Sequence, residues 1–237
     1  PFSLARIFSS LDHYSNGRAG WNIVTSGINY TAKNFNGTTN ANHDLRYDQA
    51  EEFVNISKQL WSSWRGVNTE HLHAAGGFFS EKEPEPINYQ GEFYSVKGPL
   101  NIEASPQGYP LLVQAGSSEK GTEFASKYAE VVFTAQNDIN DAITFAHNLK
   151  NKVEQKHGNA HEIVIMPGIF PFIGETREAA EAQFQELQNL IVPEMGIELL
   201  SSYLGDTDLS HYDLNTPFEN IEVEKGNNIQ SLSLIHI

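Results

Sequence analysis

Short apolar runs alternate with segments of helical spacing along this chain, and this alternation constrains the fold more than any other feature. The apolar runs show no polar alternation, which is typical of strands buried on both faces of a parallel sheet. A parallel α/β architecture with at least four strands is therefore predicted, and both a doubly wound sheet and a (β/α)8 barrel satisfy the pattern. The predicted order is helix 4–13, strand 19–25, helix 48–64, strand 110–116, helix 119–130, strand 131–136, helix 140–157, strand 163–174 and helix 176–192.

Residues 65–98 interrupt this rhythm with two adjacent glycines and two prolines, so they are predicted to form a long insert with one small strand near 91–96. We expect a single domain over residues 1–230 that carries this insert. The chain begins at Pro1 inside a predicted helix, and it closes on the apolar sequence SLSLIHI. Truncation at both ends is expected, with residues 231–237 as a non-native tail.

Charge and composition exclude several classes of function. Among 237 residues there are 30 acidic and 15 basic side chains, which give a formal net charge of −15. Nucleic acids and anionic membranes both require a positive surface, so neither is an expected partner. No apolar run is long enough to span a bilayer, and the absence of cysteine fits a cytoplasmic protein. An anionic ligand would need local donors in particular loops.

One such loop follows the predicted strand 110–116, where the sequence GSSEKG leads into a helix. Ser117 and Ser118 would lie at the start of that helix, where backbone N–H groups and the helix dipole favour an anion. Thr122 occupies the position of the P-loop lysine, which argues against ATP chemistry. The alternative is a capped helix start that binds nothing.

A second group of candidates surrounds the strand that ends at Thr25. Ser26 and Gly27 follow that strand, and the segment NHDLRYD comes shortly after. His43 and Tyr47 are four residues apart, so on a helix they would project to the same side and could both hydrogen-bond a phosphate or a ribityl chain. Alternatively, Asp44 caps the helix and Tyr47 packs in the core.

Other polar clusters are weaker candidates. His71 and His73 lie in the insert without a carboxylate partner at a standard spacing, so no metal site is predicted. The acidic residues of 81–85 are interpreted as a solvated loop. Paired carboxylates at strand ends, which a glycosidase needs, are missing, and no catalytic acid or base can be named.

Long motifs in one colinear order carry a resemblance to a known family. The sequences SLDHYSNGRAGWNIVTS, NHDLRYDQAEEFV, GEFYSVKGPLN and SPQGYPLLVQAGSSEKGTEFASKYAEVVFTAQ resemble the nitrilotriacetate monooxygenase component A and dibenzothiophene-sulfone monooxygenase group of the bacterial luciferase-like superfamily. GIFPFIGET and LLSSYLGDTDLSHYDLN continue the resemblance, which extends from residue 3 to about residue 222.

The resemblance implies a luciferase-like (β/α)8 TIM barrel, present here as a partial barrel of about strands 4 to 7. Some relatives carry a histidine near the flavin ring at the position of Gly27, so an acid/base role at that position would be lost here. The family's contacts to FMN fall on Ser26, Gly27, His43, Tyr47, Ala115, Gly116, Ser117 and Ser118.

The resemblance also implies a two-component monooxygenase. A separate NAD(P)H-dependent flavin reductase would supply reduced FMN, which with O2 would oxygenate a small organic substrate, and the full-length protein would form a homo-oligomer. The missing GxGxxG fingerprint agrees with reduction by a partner. Two alternatives stay open at this point, namely an F420-dependent oxidoreductase of the same fold and a truncated, non-catalytic fragment.

Overall fold

The computed structural model describes residues 1–26, 34, 43–67, 82–136, 138–158, 163–204, 207–217 and 220–222. Helices and strands alternate through these residues as the sequence predicts. In chain order they are α1 (Phe2–Ser15), β1 (Gly20–Ile23), α2 (His43–Ser62), β2 (Tyr89–Gln90), β3 (Ser95–Val96), β4 (Leu111–Gln114), α3 (Glu119–Tyr128), β5 (Val131–Thr134), α4 (Ile139–His157), β6 (Val164–Pro167), α5 (Arg177–Asn189) and α6 (Pro193–Tyr203).

The main sheet has four strands in the order β1-β4-β5-β6. β1 and β4 are parallel, with Gly20 opposite Leu111 and Ile23 opposite Gln114. β4 and β5 are also parallel, so the predicted parallel α/β architecture is confirmed. Each new strand of this sheet is added beside the previous one, whereas a doubly wound sheet reverses its order at a switch point. The observed order agrees with a barrel wall and contains no such reversal among the described strands.

The chain divides into two compact units. The first consists of residues 1–25, 44–133 and 146–166, and it contains β1, the β2–β3 hairpin, β4 and α3. The second consists of residues 26–43, 134–145 and 167–237, and it contains α5 and α6.

The core of the first unit lies between the sheet and the helices α1, α2 and α3. Trp61 donates its indole N–H to the carbonyl of Ala5 at 3.0 Å, so this large aromatic is buried without leaving its polar atom unpaired. The buried residues of this core are Ala5, Trp21, Ile23, Tyr47, Val54, Ile56, Leu60, Trp61, Leu100, Leu112, Phe124 and Tyr128.

A buried carboxylate, Asp12, joins the end of α1 to the segment before β4. Its two oxygens accept from the backbone N–H of Ala19 at 3.2 Å, from the backbone N–H of Gln107 at 3.0 Å and from the Gln107 side chain at 2.5 Å. Burial by itself would raise the pKa of this carboxyl, but the hydrogen bonds from Gln107 and Ala19 outweigh it and hold the pKa below its ordinary value.

A second buried carboxylate, Glu52 of α2, holds the β2–β3 hairpin. Its oxygens accept from the backbone N–H of Phe93 at 3.1 Å and of Tyr94 at 2.8 Å. A β-carbon at Gly91 would lie 2.1 Å from a Glu52 oxygen, so any larger residue at this turn would displace the Glu52 carboxylate.

Several details differ from the sequence predictions. The strand predicted over 163–174 spans only Val164–Pro167. α2 begins at His43 rather than at residue 48. The predicted small strand near 91–96 is a hairpin of two strands. The helix predicted over 176–192 ends at Asn189, and a new helix begins at Pro193. Burial of the strands on both faces is wrong for this chain, since Leu111 is 39% and Phe133 46% exposed. His71, His73 and residues 231–237 lie outside the described residues.

None of the helices that the structure describes combines the length and the apolar content that a bilayer crossing requires.

Candidate functional site

The loop between β4 and α3 is the centre of the candidate site. It runs over residues 115–118, and all of it belongs to the first unit. Ser118 is the N-cap of α3, because its side-chain oxygen accepts from the backbone N–H of Gly121 at 3.1 Å. Its carbonyl also accepts from the N–H of Thr122 at 2.8 Å. The helix start predicted from GSSEKG is therefore present, and Ser118 caps it.

The hydroxyl of Tyr47 reaches this loop from α2. A β-carbon at Gly116 would lie 2.5 Å from that hydroxyl oxygen, and one at Gly121 would lie 2.9 Å from it. Both distances are shorter than a β-carbon tolerates, so the two glycines leave the space that the tyrosine fills. Tyr47 is only 7% exposed, and its ring packs on Phe124 with the ring centroids 5.7 Å apart. Two segments predicted separately to bind phosphate thus meet in one place.

Sequence reasoning missed Gln114, the last residue of β4. It is 3% exposed, and the Oε1 of its side-chain carboxamide accepts from the backbone N–H of Gly116 at 2.6 Å. The sequence feature that could have identified Gln114 is its position as a lone polar residue at the end of an apolar strand. A polar side chain at such a position is stable only when it is hydrogen-bonded.

Arg46 was also missed, although it stands inside the quoted motif. Its Nε donates to the carbonyl of Thr25 at 3.0 Å, which joins α2 to the chain that leaves β1. Burial lowers the pKa of this guanidinium, while the interaction with Tyr47 acts in the opposite direction. Arg46 stays charged, since arginine does not lose its proton in proteins. A partly desolvated positive charge therefore lies next to Tyr47 in a chain of strongly negative net charge.

The remaining predicted site residues are placed as follows. His43 is the first residue of α2, one helical turn before Tyr47, and it is partly buried. Ser26 is exposed and, like His43, belongs to the second unit. Ala115 is exposed, and Ser117 is partly buried in the loop. Gly27 lies outside the described residues.

Lysines near α3 are neutralised by carboxylates. Lys120 donates to Asp48 at 3.0 Å, and that hydrogen bond raises the pKa of Lys120 despite opposing desolvation. Lys152 pairs with Glu119 at 2.5 Å, which links α4 to α3. A cavity of about 490 Å³ is lined by residues of α2, α3 and α4, among them the pair of Lys120 and Asp48. Because each of these two ammonium groups faces a carboxylate, the pairs add little net attraction for an anion.

Within the described ranges, no group of three or more histidine, aspartate or glutamate side chains could hold a metal ion. At the loop between β4 and α3, the first unit offers hydroxyl groups and backbone N–H groups. This arrangement suits a phosphate group, because hydroxyl and N–H donors match its oxygens.

Comparison with known proteins gives matches along the whole chain. The family model described as luciferase-like monooxygenase matches residues 1–219. N-acetyl-S-(2-succino)cysteine monooxygenase of Bacillus subtilis (strain 168) is 48% identical over 98% of this chain and 52% of its own length. Nitrilotriacetate monooxygenase component A of Aminobacter aminovorans is 37% identical over 100% of this chain and 52% of its own length.

Among solved structures, a riboflavin lyase with modified FMN and riboflavin matches with a TM-score of 0.87 and 30% identity, over 100% of this chain and 52% of its own. The expected partial luciferase-like barrel is thereby confirmed. The chain spans about half the length of the curated relatives that it matches.

Proposed function

Because the chain belongs to the luciferase-like monooxygenase family, we propose that it carries the phosphate-binding part of a site for reduced FMN. The whole protein would be the oxygenating component of a two-component monooxygenase. A separate NAD(P)H-dependent flavin reductase would supply the reduced flavin, and the substrate would be a small organic molecule.

One observation carries this proposal: the hydroxyl of Tyr47 lies against Gly116 and Gly121, at the N-terminus of α3, which begins after Ser118. Glycine at both positions lets the Tyr47 hydroxyl lie close to the backbone of this loop, and the start of α3 offers N–H groups with the positive end of the helix dipole. A phosphate is the part of FMN that such an arrangement can recognise.

The proposed residues would contribute different interactions with FMN. Ser117, Ser118 and Tyr47 would donate hydroxyl hydrogen bonds to the phosphate, and the backbone of Ala115 and Gly116 would border it. His43, Ser26 and Gly27 are proposed as further FMN contacts on the strength of the family motif. Arg46 would lower the electrostatic cost of holding a dianion in this acidic chain. When bound, the flavin supplies the activation of O2.

Flavin fluorescence quenching tests the proposal on the 237-residue chain. The parent should bind FMN, and the double variant Ser118→Ala with Tyr47→Phe should bind at least about 10-fold more weakly, which is about 1.4 kcal/mol. Both substitutions remove hydroxyl groups and leave the packing of the ring in place. A titration with the deazaflavin F420 belongs in the same experiment, and a preference for F420 would replace FMN as the proposed cofactor.

The matched control is Thr176→Ala with Tyr14→Phe. Thr176 is the N-cap of α5, where its side chain accepts from the N–H of Ala179, and Tyr14 is 94% exposed on α1. This control loses a helix cap and a phenol hydroxyl, as the test variant does, but outside the candidate site. Equal FMN affinity in the parent and the test variant would mean that the phosphate is placed wrongly.

A further inference from the structure

The buried side chain of Gln114 occupies the junction between β4 and the candidate phosphate loop. Its Oε1 accepts from the N–H of Gly116, two residues ahead, at 2.6 Å. Its Nε2 lies 2.6 Å from the point that a β-carbon of Gly116 would occupy, and the Tyr47 hydroxyl oxygen lies 2.5 Å from the same point. Gly116 is thus held between a strand-end amide and a helix-borne phenol.

This geometry decides which backbone donors the loop can offer. The N–H of Gly116 is used by Gln114, so it is not a donor for the phosphate. Ser117, Ser118 and the first turn of α3 then provide the donors. Without the carboxamide, the Gly116 N–H would need another acceptor, and an unmade hydrogen bond in a partly buried loop costs about 1–3 kcal/mol. If the Gly116 peptide turned so that its N–H faced the ligand, the loop that follows it would also change direction.

We propose that Gln114 is a positioning residue for the FMN phosphate. It fixes the orientation of the Gly116 peptide and thereby of the loop that binds the phosphate, and it does not contact the flavin itself. This inference rests on the proposed function. It concerns the phosphate alone, because nothing in the geometry of Gln114 relates to the ring system. Its signature is therefore a change in the preference for FMN over riboflavin, which has the same ring and no phosphate.

The experiment measures FMN and riboflavin affinities for the parent and for Gln114→Met, which keeps the length of the side chain and loses the acceptor. We expect FMN to bind about 10-fold more weakly, or about 1.4 kcal/mol, with riboflavin affinity changed less than about twofold. Gln107→Met is the matched control. It removes the 2.5 Å hydrogen bond to Asp12, so it costs stability elsewhere and should leave the ratio of the two affinities unchanged.

Gln114→Asn keeps the proposal testable if the methionine variant does not fold. It keeps a carboxamide but shortens the side chain by one methylene, so the acceptor no longer reaches the Gly116 N–H. FMN affinity should fall relative to riboflavin affinity, as it should in the methionine variant.

Parent-like affinity ratios in the folded Gln114 variants would overturn the positioning role and leave the proposed function intact. Failure of the parent to bind FMN would instead contradict the proposed function and this inference with it.

Discussion

At the scale of single residues, the candidate site depends on two glycines and the phenol between them. A β-carbon at Gly121 would lie 3.0 Å from the backbone of Gly116 as well as 2.9 Å from the Tyr47 hydroxyl, whereas one at Gly116 would meet mainly side-chain atoms. Side chains can move aside and backbone cannot, so the two positions should respond differently to the same substitution.

Gly121→Ala and Gly116→Ala should each destabilise the chain by about 1–3 kcal/mol through overpacking. Adding Tyr47→Phe should recover more stability in the Gly116→Ala background than in the Gly121→Ala background, since only the former clash is mostly with side-chain atoms. Urea unfolding measures both effects. Gly196→Ala is the control, because a β-carbon there meets nothing within 4 Å. Equal rescue in the two backgrounds would contradict this account of the packing.

Asp12 makes the stability of the fold depend on pH. Its pKa is lowered in the folded protein, so its contribution to stability is present above the pKa of the unfolded state, about 3.9, and is lost as the pH falls through the folded value.

Asp12→Asn should cost about 2–3 kcal/mol of stability at neutral pH, since an amide nitrogen would face N–H donors. The variant should also lose this part of the acid dependence of stability. Asp141→Asn, at the exposed start of α4, is the control in urea unfolding between pH 3 and pH 7, and an identical pH profile for Asp12→Asn and the parent would refute the assignment.

At the scale of elements, Glu52 holds a hairpin that is too short to be stable by itself. Glu52→Ala should leave the N–H groups of Phe93 and Tyr94 without their acceptor, and we expect hydrogen exchange to accelerate at residues 89–96. Glu51→Ala is the matched control, because the adjacent Glu51 is exposed and pairs with Lys127 at the surface. Such a pair contributes about 0–1 kcal/mol. Unchanged exchange in the hairpin of Glu52→Ala would show that other contacts hold it.

The order of the main strands and helices was predictable from the sequence because helices and strands differ in the period of their apolar residues. The resemblance to the nitrilotriacetate monooxygenase group is confirmed. The boundaries that failed have physical reasons. α2 begins with a polar turn at His43, before its apolar stripe starts. The break before α6 had a signal in Pro193, which is favoured at the first position of a helix.

The candidate site was only partly predictable. The Gly116–Ser118 loop follows from its residue types, and the structure brings Tyr47 to it. Gln114 and Arg46 act through hydrogen bonds to the backbone of other residues, at Gly116 and Thr25. A linear pattern carries no information about such contacts, which exist only once the chain has folded.

At the scale of the whole molecule, the strands expose apolar side chains. Phe133 is 46% exposed, Val164 54% and Met166 53%, and the chain covers about half of its relatives. Exposed apolar surface favours association even at a net charge of −15. Phe133→Lys should reduce self-association in light scattering at a cost below about 0.5 kcal/mol in stability, since this side chain is already half exposed. Reduced stability without reduced association would contradict this view.

The central claim is that the loop between β4 and α3 holds a phosphate, and parallel titrations of the unmodified 237-residue chain with FMN and riboflavin test it most directly. We expect FMN to bind at least about 10-fold more tightly than riboflavin, or by about 1.4 kcal/mol, because the two ligands differ only in the phosphate. Equal affinities, or no binding of FMN, would contradict it.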